Sequence, residues 1–214
     1  MALNKLKFNS INVTPAANEA IRFNSSANGL ETASAGGSLV KIASTTASSS
    51  SSISFTSGIT STYKEYIFFF NNIHPATNDT SFNVNFSIDG GSNYNVTKTT
   101  SYFRSVHDEP DSYTALAYES GRDIAQGTGY QNLSSGIENN DDASVSGYLH
   151  LFDPSNTTFV KHFMSVTNAT IHANYCMTDF CAGYVNTTSA INAIDFKMTS
   201  GNTDSGTITM YGVS

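Results

Sequence analysis

The chain has 214 residues, enough for one domain with an appendage or for two small domains. Only 13% of its residues are charged, against a usual ~25%, and Ser, Thr and Asn fill the polar positions; these compete with helical hydrogen bonds and suit strands and turns. A formal net charge of −7 with ten Lys plus Arg disfavours a basic nucleic-acid surface, and no apolar run approaches the ~20 residues that a membrane-crossing helix needs.

Residues 1–36 differ from the rest of the chain. Their apolar side chains are sparse, and short strands are predicted at residues 6–8, 11–13 and 21–23. Residues 1–14 lack the continuous apolar core of a secretory signal. The pattern Lys5-Leu6-Lys7-Phe8-Asn9-Ser10 returns fifteen residues later as Ala20-Ile21-Arg22-Phe23-Asn24-Ser25. A unit this short cannot bury its apolar positions alone. Leu6, Phe8, Ile21 and Phe23 are therefore the candidate docking residues, against a neighbouring subunit, another surface, or the chain's own domain as a packed hairpin. Fully extended, this segment spans at most ~120 Å at ~3.3 Å per residue. The Ala-Ser-Ala-Gly-Gly-Ser run at residues 33–38 is the candidate hinge, giving an attachment segment at 1–36 and a second domain at 37–214.

From Ser38 the pattern is β. The Ser/Thr run at 44–52 reads as a linker or as an edge strand with outward hydroxyls, and leads into Ile53 and Phe55. Tyr66-Ile67-Phe68-Phe69-Phe70 is apolar on both faces and is expected to be covered on both sides. Phe82, Val84, Phe86 and Ile88 alternate with Ser81, Asn83, Asn85 and Ser87, as in a strand covered on one face. Asp89-Gly90-Gly91 predicts a hairpin turn, with a returning strand from Tyr94 that runs as far as Val106. Residues 107–111 read as an acidic loop, 113–123 as a strand or short helix, and 127–142 as a long exposed loop rich in Gly, Asn and Asp. Further strands are expected at 145–152, 159–166, 176–185, 191–198 and 207–213, with a polar loop at 199–205. Strands at this spacing, joined by turns, predict an all-β, jelly-roll-like β-sandwich preceded by the extended N-terminal attachment segment.

Chemistry is sparse. The five histidines show no metal-protease or zinc-finger spacing, and His172, Cys176, Asp179 and Cys181 form the nearest approach to a metal cluster. Cys176 and Cys181 either bridge a tight loop or stay free. His150 and His162 read as paired polar residues on an outer sheet face. No nucleophile elbow or nucleotide-binding glycine motif is present, and the acid pairs Asp108/Glu109 and Asp141/Asp142 sit in polar loops. No catalytic residue, metal ligand or cofactor is assigned. In a β-domain, recognition falls to the loops. Tyr113, Tyr130, Asp108 and Asp141, on loops 105–111 and 127–142 or beside them, are the candidate recognition contacts, to a sugar or to a protein surface.

Four stretches carry a resemblance. Asp89-Gly90-Gly91-Ser92-Asn93-Tyr94-Asn95-Val96, Leu149-His150-Leu151-Phe152-Asp153-Pro154-Ser155, Ala182-Gly183-Tyr184, and Phe196-Lys197-Met198-Thr199-Ser200-Gly201-Asn202 with Gly206-Thr207-Ile208 resemble strand and turn motifs of small structural proteins of tailed, especially marine, bacteriophages. The likeness runs from about Leu39 to the C-terminus, and Ala20 to Ser25 is similar to leader segments of the same proteins. It implies no catalytic residues. It implies a virion structural protein, a tail fibre, knob or capsid decoration, assembled in the host cytoplasm and exposed on the particle. A homotrimer contacting other proteins of head or tail is expected; the alternative is a lectin-like receptor-recognition module that binds a host-surface glycan through loops 105–111 and 127–142.

Overall fold

The computed structural model describes residues 19–34, 39–171 and 175–214. The chain divides into two compact units, one ending at Val40 and the other running from Lys41 to Val213. In the first, β1 (Glu19–Phe23) and β2 (Leu30–Ser34) form an antiparallel hairpin. Leu6 and Phe8 lie outside the described residues.

The second unit is built from β3 (Leu39–Thr46, which enters it), β4 (Ile53–Phe55), β5 (Glu65–Pro75), β6 (Thr80–Ser87), β7 (Lys98–Asp108), β8 (Thr114–Tyr118), β9 (Gln131–Ile137), β10 (Val145–Phe152), β11 (Lys161–Ile171), β12 (Tyr175–Val185), β13 (Ala193–Met198) and β14 (Thr203–Val213). No helix occurs among the described residues. One run of paired strands reads β3–β14–β5–β10–β11–β12–β7–β8, and a second reads β9–β6–β13–β4. Among the described residues the two join where Ile171 stands opposite Ile137. Every described pairing between named strands is antiparallel. The result is a β-sandwich whose larger sheet is nearly closed over the smaller one.

Aromatic rings fill the space between the sheets. Phe68 and Phe70 of β5 and Phe163 of β11 come from the large sheet; Phe55, Phe82, Phe86 and Phe196 come from the small one. Ring centroids stand 5.5 Å apart for Phe55 and Phe68, 5.1 Å for Phe70 and Phe82, and 5.1 Å for Phe86 and Phe163, mostly edge to face. Phe68, Phe86 and Phe196 are fully buried, as the alternation predicts.

Several expectations are corrected. Asp89 to Gly91 do turn the chain, with positive φ at both glycines, but the next strand does not return beside β6. The Asp89 carboxylate takes hydrogen bonds from Ser87 Oγ (2.6 Å) and from Asn93 N (2.9 Å) and Nδ2 (2.7 Å), closing a wide turn rather than a tight hairpin. The chain then crosses to β7, which pairs with β12 and β8, while β6 pairs with β13 and β9. Residues 127–142 are no simple exposed loop. They contain β9, whose Gln131, Leu133, Ser134, Ser135 and Ile137 are all buried. The polar face of β6 is buried too: Asn85 donates to Tyr94 O (2.6 Å) and Thr128 O (3.0 Å) from the segments that cover it, whereas Ile88 is exposed. In the apolar run Tyr66, Ile67, Phe68 and Phe70 are buried, and Phe69 is the exception. It is half-buried, packed sideways against Tyr148 and Tyr211 on its own face. The Ser/Thr run does begin as an edge strand, with Ser44 and Thr46 sharing hydroxyl hydrogen bonds with Thr209 (2.9 Å) and Thr207 (3.0 Å) of β14. The loop expected at 199–205 ends at Thr203, where β14 starts.

Candidate functional site

The hairpin of the first unit has two unlike faces. Phe23 sits opposite Leu30 and Ile21 opposite Thr32, so three apolar side chains gather on one face at the turn end of the hairpin. On the other, Arg22 pairs with Glu31 at 3.0 Å. The turn is closed by Asn24, whose backbone carbonyl accepts from Ala27 N at 2.9 Å and whose side chain accepts from Asn28 N at 3.1 Å. Phe23 is 72% exposed, and Ile21 and Leu30 are exposed with it. A two-stranded hairpin is marginal in water on its own. Its apolar face is the part of this unit that a partner would cover.

The four loop candidates separate into two kinds. Tyr113 is exposed, with its ring stacked on Tyr175 at 5.8 Å, and Asp141 is exposed beside Asp142. Asp108 and Tyr130 turn inward instead. The Asp108 carboxylate is buried, accepting from Ser112 N (2.8 Å), Tyr113 N (2.7 Å) and the Ser112 hydroxyl, and these bonds, Ser112's first, hold its pKa down. Tyr130 donates to Asp195 Oδ2 at 2.8 Å and lies under Lys197 Nζ, 4.0 Å from the ring centre. Burial and then Asp195 push its phenol pKa upward. These two residues organise their loops rather than present a contact surface.

Asp141 and Asp142 line an open cleft of about 480 Å³ with Asn72, His74 and Asp204. His74 Nδ1 stands 3.8 Å from Asp204 Oδ2, and its Nε2 is 3.1 Å from the Asn140 carbonyl. Among the described residues no three His, Cys, Asp or Glu side chains converge as a metal site. His172 lies outside the described residues. Cys176 and Cys181 are an odd number of positions apart on β12, so they point to opposite faces, the first exposed and the second buried, and both are free.

In the sequence Asp179 stands out only as a member of the loose His172–Cys181 metal grouping. It is buried between β7, β12 and β9, where Ser134 Oγ donates to its Oδ2 at 2.9 Å. Tyr102 interacts with both Asp179 and Ser135 in the same buried cluster. Burial pushes the carboxyl up to about 6. The cluster is sealed from solvent, so its chemistry bears on stability rather than on a substrate.

The outer face of the large sheet is the second feature that sequence reading missed. One row of side chains crosses seven strands, Thr209, Phe69, Tyr148, Val166, Phe180, Phe103 and Tyr118, each opposite the next. Phe103 and Phe180 stack in parallel at 4.7 Å. His150, in a short contact with Glu65, and His162 lie on this same face. The signal was diluted in the sequence because five of the seven strands contribute one ring each to the row and the other two contribute Thr209 and Val166. No family model, curated protein or solved structure matches the chain.

Proposed function

We propose that the chain is a non-enzymatic virion structural protein, held to the particle through its N-terminal segment and displaying the β-sandwich as a fibre, knob or decoration. The observation that carries this reading is the exposed apolar face of Ile21, Phe23 and Leu30 on a hairpin too small to bury it. Covering each such side chain is worth about 1.5–3 kcal/mol. Three of them make a useful but modest anchor, so several copies acting together, a homotrimer in this reading, strengthen attachment by avidity. The virion setting comes from the phage-like strand and turn motifs, and the partners it implies are other proteins of head or tail.

Phe23→Glu tests the anchor. The variant is expected to fold with an unchanged melting temperature and to be lost from purified particles. Normal copy number on the particle would contradict the reading.

A further inference from the structure

The strand β8 is an open edge of the large sheet. Among the described residues it pairs with β7 alone. Asp108 N donates to Tyr113 O at 3.1 Å and Glu119 N donates to Tyr102 O at 3.0 Å, which fixes the phase of the ladder between the two strands. Antiparallel bonds alternate from residue to residue, so Ala115 and Ala117 turn their N–H and C=O groups toward β7. Thr114, Leu116 and Tyr118 turn theirs outward, a row of donors and acceptors along the free edge.

Sheet edges elsewhere carry features that discourage a further strand. β3 has Lys41 within it, and β4 is only three residues long. β8 has neither device. Its sequence, Thr-Ala-Leu-Ala-Tyr, contains no charge and no proline. Leu116 is 76% exposed, the most exposed large apolar side chain among the described residues, and Tyr118 is exposed on the same face. On the inner face the strand carries only Ala115 and Ala117, beside a hollow of about 300 Å³ that Arg104 and Tyr113 also line. The carboxylate that follows the strand, Glu119, is held by Arg104 at 2.8 Å.

We infer that β8 is a contact between two copies of this chain, paired antiparallel across a two-fold axis at Leu116. In this register Leu116 stands opposite its own equivalent, Thr114 opposite Tyr118, and Ala115 opposite Ala117. Every outward N–H of the strand then finds a carbonyl on the other copy. The two Leu116 side chains meet on the axis, and Thr114 beside a Tyr118 ring is a favourable β-branched and aromatic pair. No like charges stand opposite one another along the strand, which matters for two chains that each carry a net charge of −7. This self-match favours a second copy over a foreign strand, because a two-fold contact uses the same patch on both partners and closes at two. Five residues at ~3.4 Å each give a short interface, so the affinity is modest in solution and is raised where copies are held close together. The contact does not depend on the N-terminal anchor. In a three-fold assembly it joins trimers to one another rather than making the trimer.

The test is sedimentation of the full chain at concentrations up to ~1 mM, where even a weak contact registers. It compares the wild type, Leu116→Glu, Leu116→Lys and an equimolar mixture of the two variants. Leu116 is exposed and its N–H faces away from β7, so both variants should fold with an unchanged melting temperature. The wild type is expected to double in mass as concentration rises. Each single variant should weaken the doubling about tenfold or more, since like charges meet on the axis. The mixture should restore it, because opposite charges then face each other there. A wild type that never doubles, doubling equally strong in both single variants, or a mixture no better than its components would overturn the inference. So would open-ended growth of the wild type, because the edge would then pair with a different strand rather than with itself.

Discussion

Phe68 and Phe196 meet across the sandwich with ring centroids 5.6 Å apart, one ring from each sheet and both fully buried. Among the described residues the sheets are linked by the Ile171–Ile137 pairing and by the Thr167–Leu133 and Ser134–Asp179 hydrogen bonds, and ring packing across the interior adds to these. Phe196 also touches Phe55, Phe70 and Phe82, the last in a stacked arrangement at 5.8 Å.

Phe68→Ala should cost about 3–5 kcal/mol, the range for emptying an aromatic site in a close-packed core. That is a large part of a typical total of ~5–15 kcal/mol. Urea unfolding would measure it as a lower midpoint with an unchanged slope. An unaltered midpoint would mean that the two sheets are held together by something other than this cluster.

Asp179 makes stability depend on pH in an unusual direction. Burial raises its carboxyl from 3.8 to about 6, so between those values the folded protein binds more protons than the unfolded chain. Its contribution is therefore full below about pH 4 and is lost as pH rises through about 6, a change of about 3 kcal/mol. Asp179→Asn keeps a neutral group of the same shape beside Ser134. It should gain on the wild type as pH is raised from 4 to 7, read as the difference between their unfolding free energies. A pH-independent difference would remove Asp179 as the titrating group.

The cysteines give a test of strand orientation. Cys176 is exposed, while burial and then Asp179 hold the Cys181 thiol pKa well above its ordinary value. A thiol reagent should label Cys176 quickly and Cys181 only in denaturant. Rapid labelling of both would place β12 differently or open its inner face.

How far the sequence could be read depended on how each strand's apolar signal was distributed. Phe82, Val84 and Phe86 alternate cleanly, and their burial was predictable from period two alone. β9 escaped because only Leu133 and Ile137 are apolar, and its other buried positions are Gln131, Ser134 and Ser135. Gln131 is held by partners far along the chain, accepting from Thr100 Oγ1 at 2.6 Å and donating to Arg122 O at 3.0 Å. Such satisfaction is a property of the tertiary structure, invisible in a local window. The same applies to the loop candidates: nothing near Tyr130 in sequence announces Asp195, sixty-five residues away. The row of side chains on the outer face arises from register between strands, which the hydrophobic pattern of each strand does not specify. The apolar face of the N-terminal hairpin, by contrast, was legible from Ile21 and Phe23 themselves; its partner Leu30 came with the pairing.

The central claim is that the N-terminal segment docks the protein to its particle while the sandwich stands as a folded body without it. Deleting residues 1–36 and counting the truncated chain on purified virions tests this most directly. The account predicts a folded β-domain, with the strand signature of the full chain in circular dichroism and a cooperative melt, that is missing from the particles. Truncated protein found on virions at normal copy number would contradict it, and so would a truncated chain that fails to fold, because the segment would then belong to the sandwich rather than to the particle.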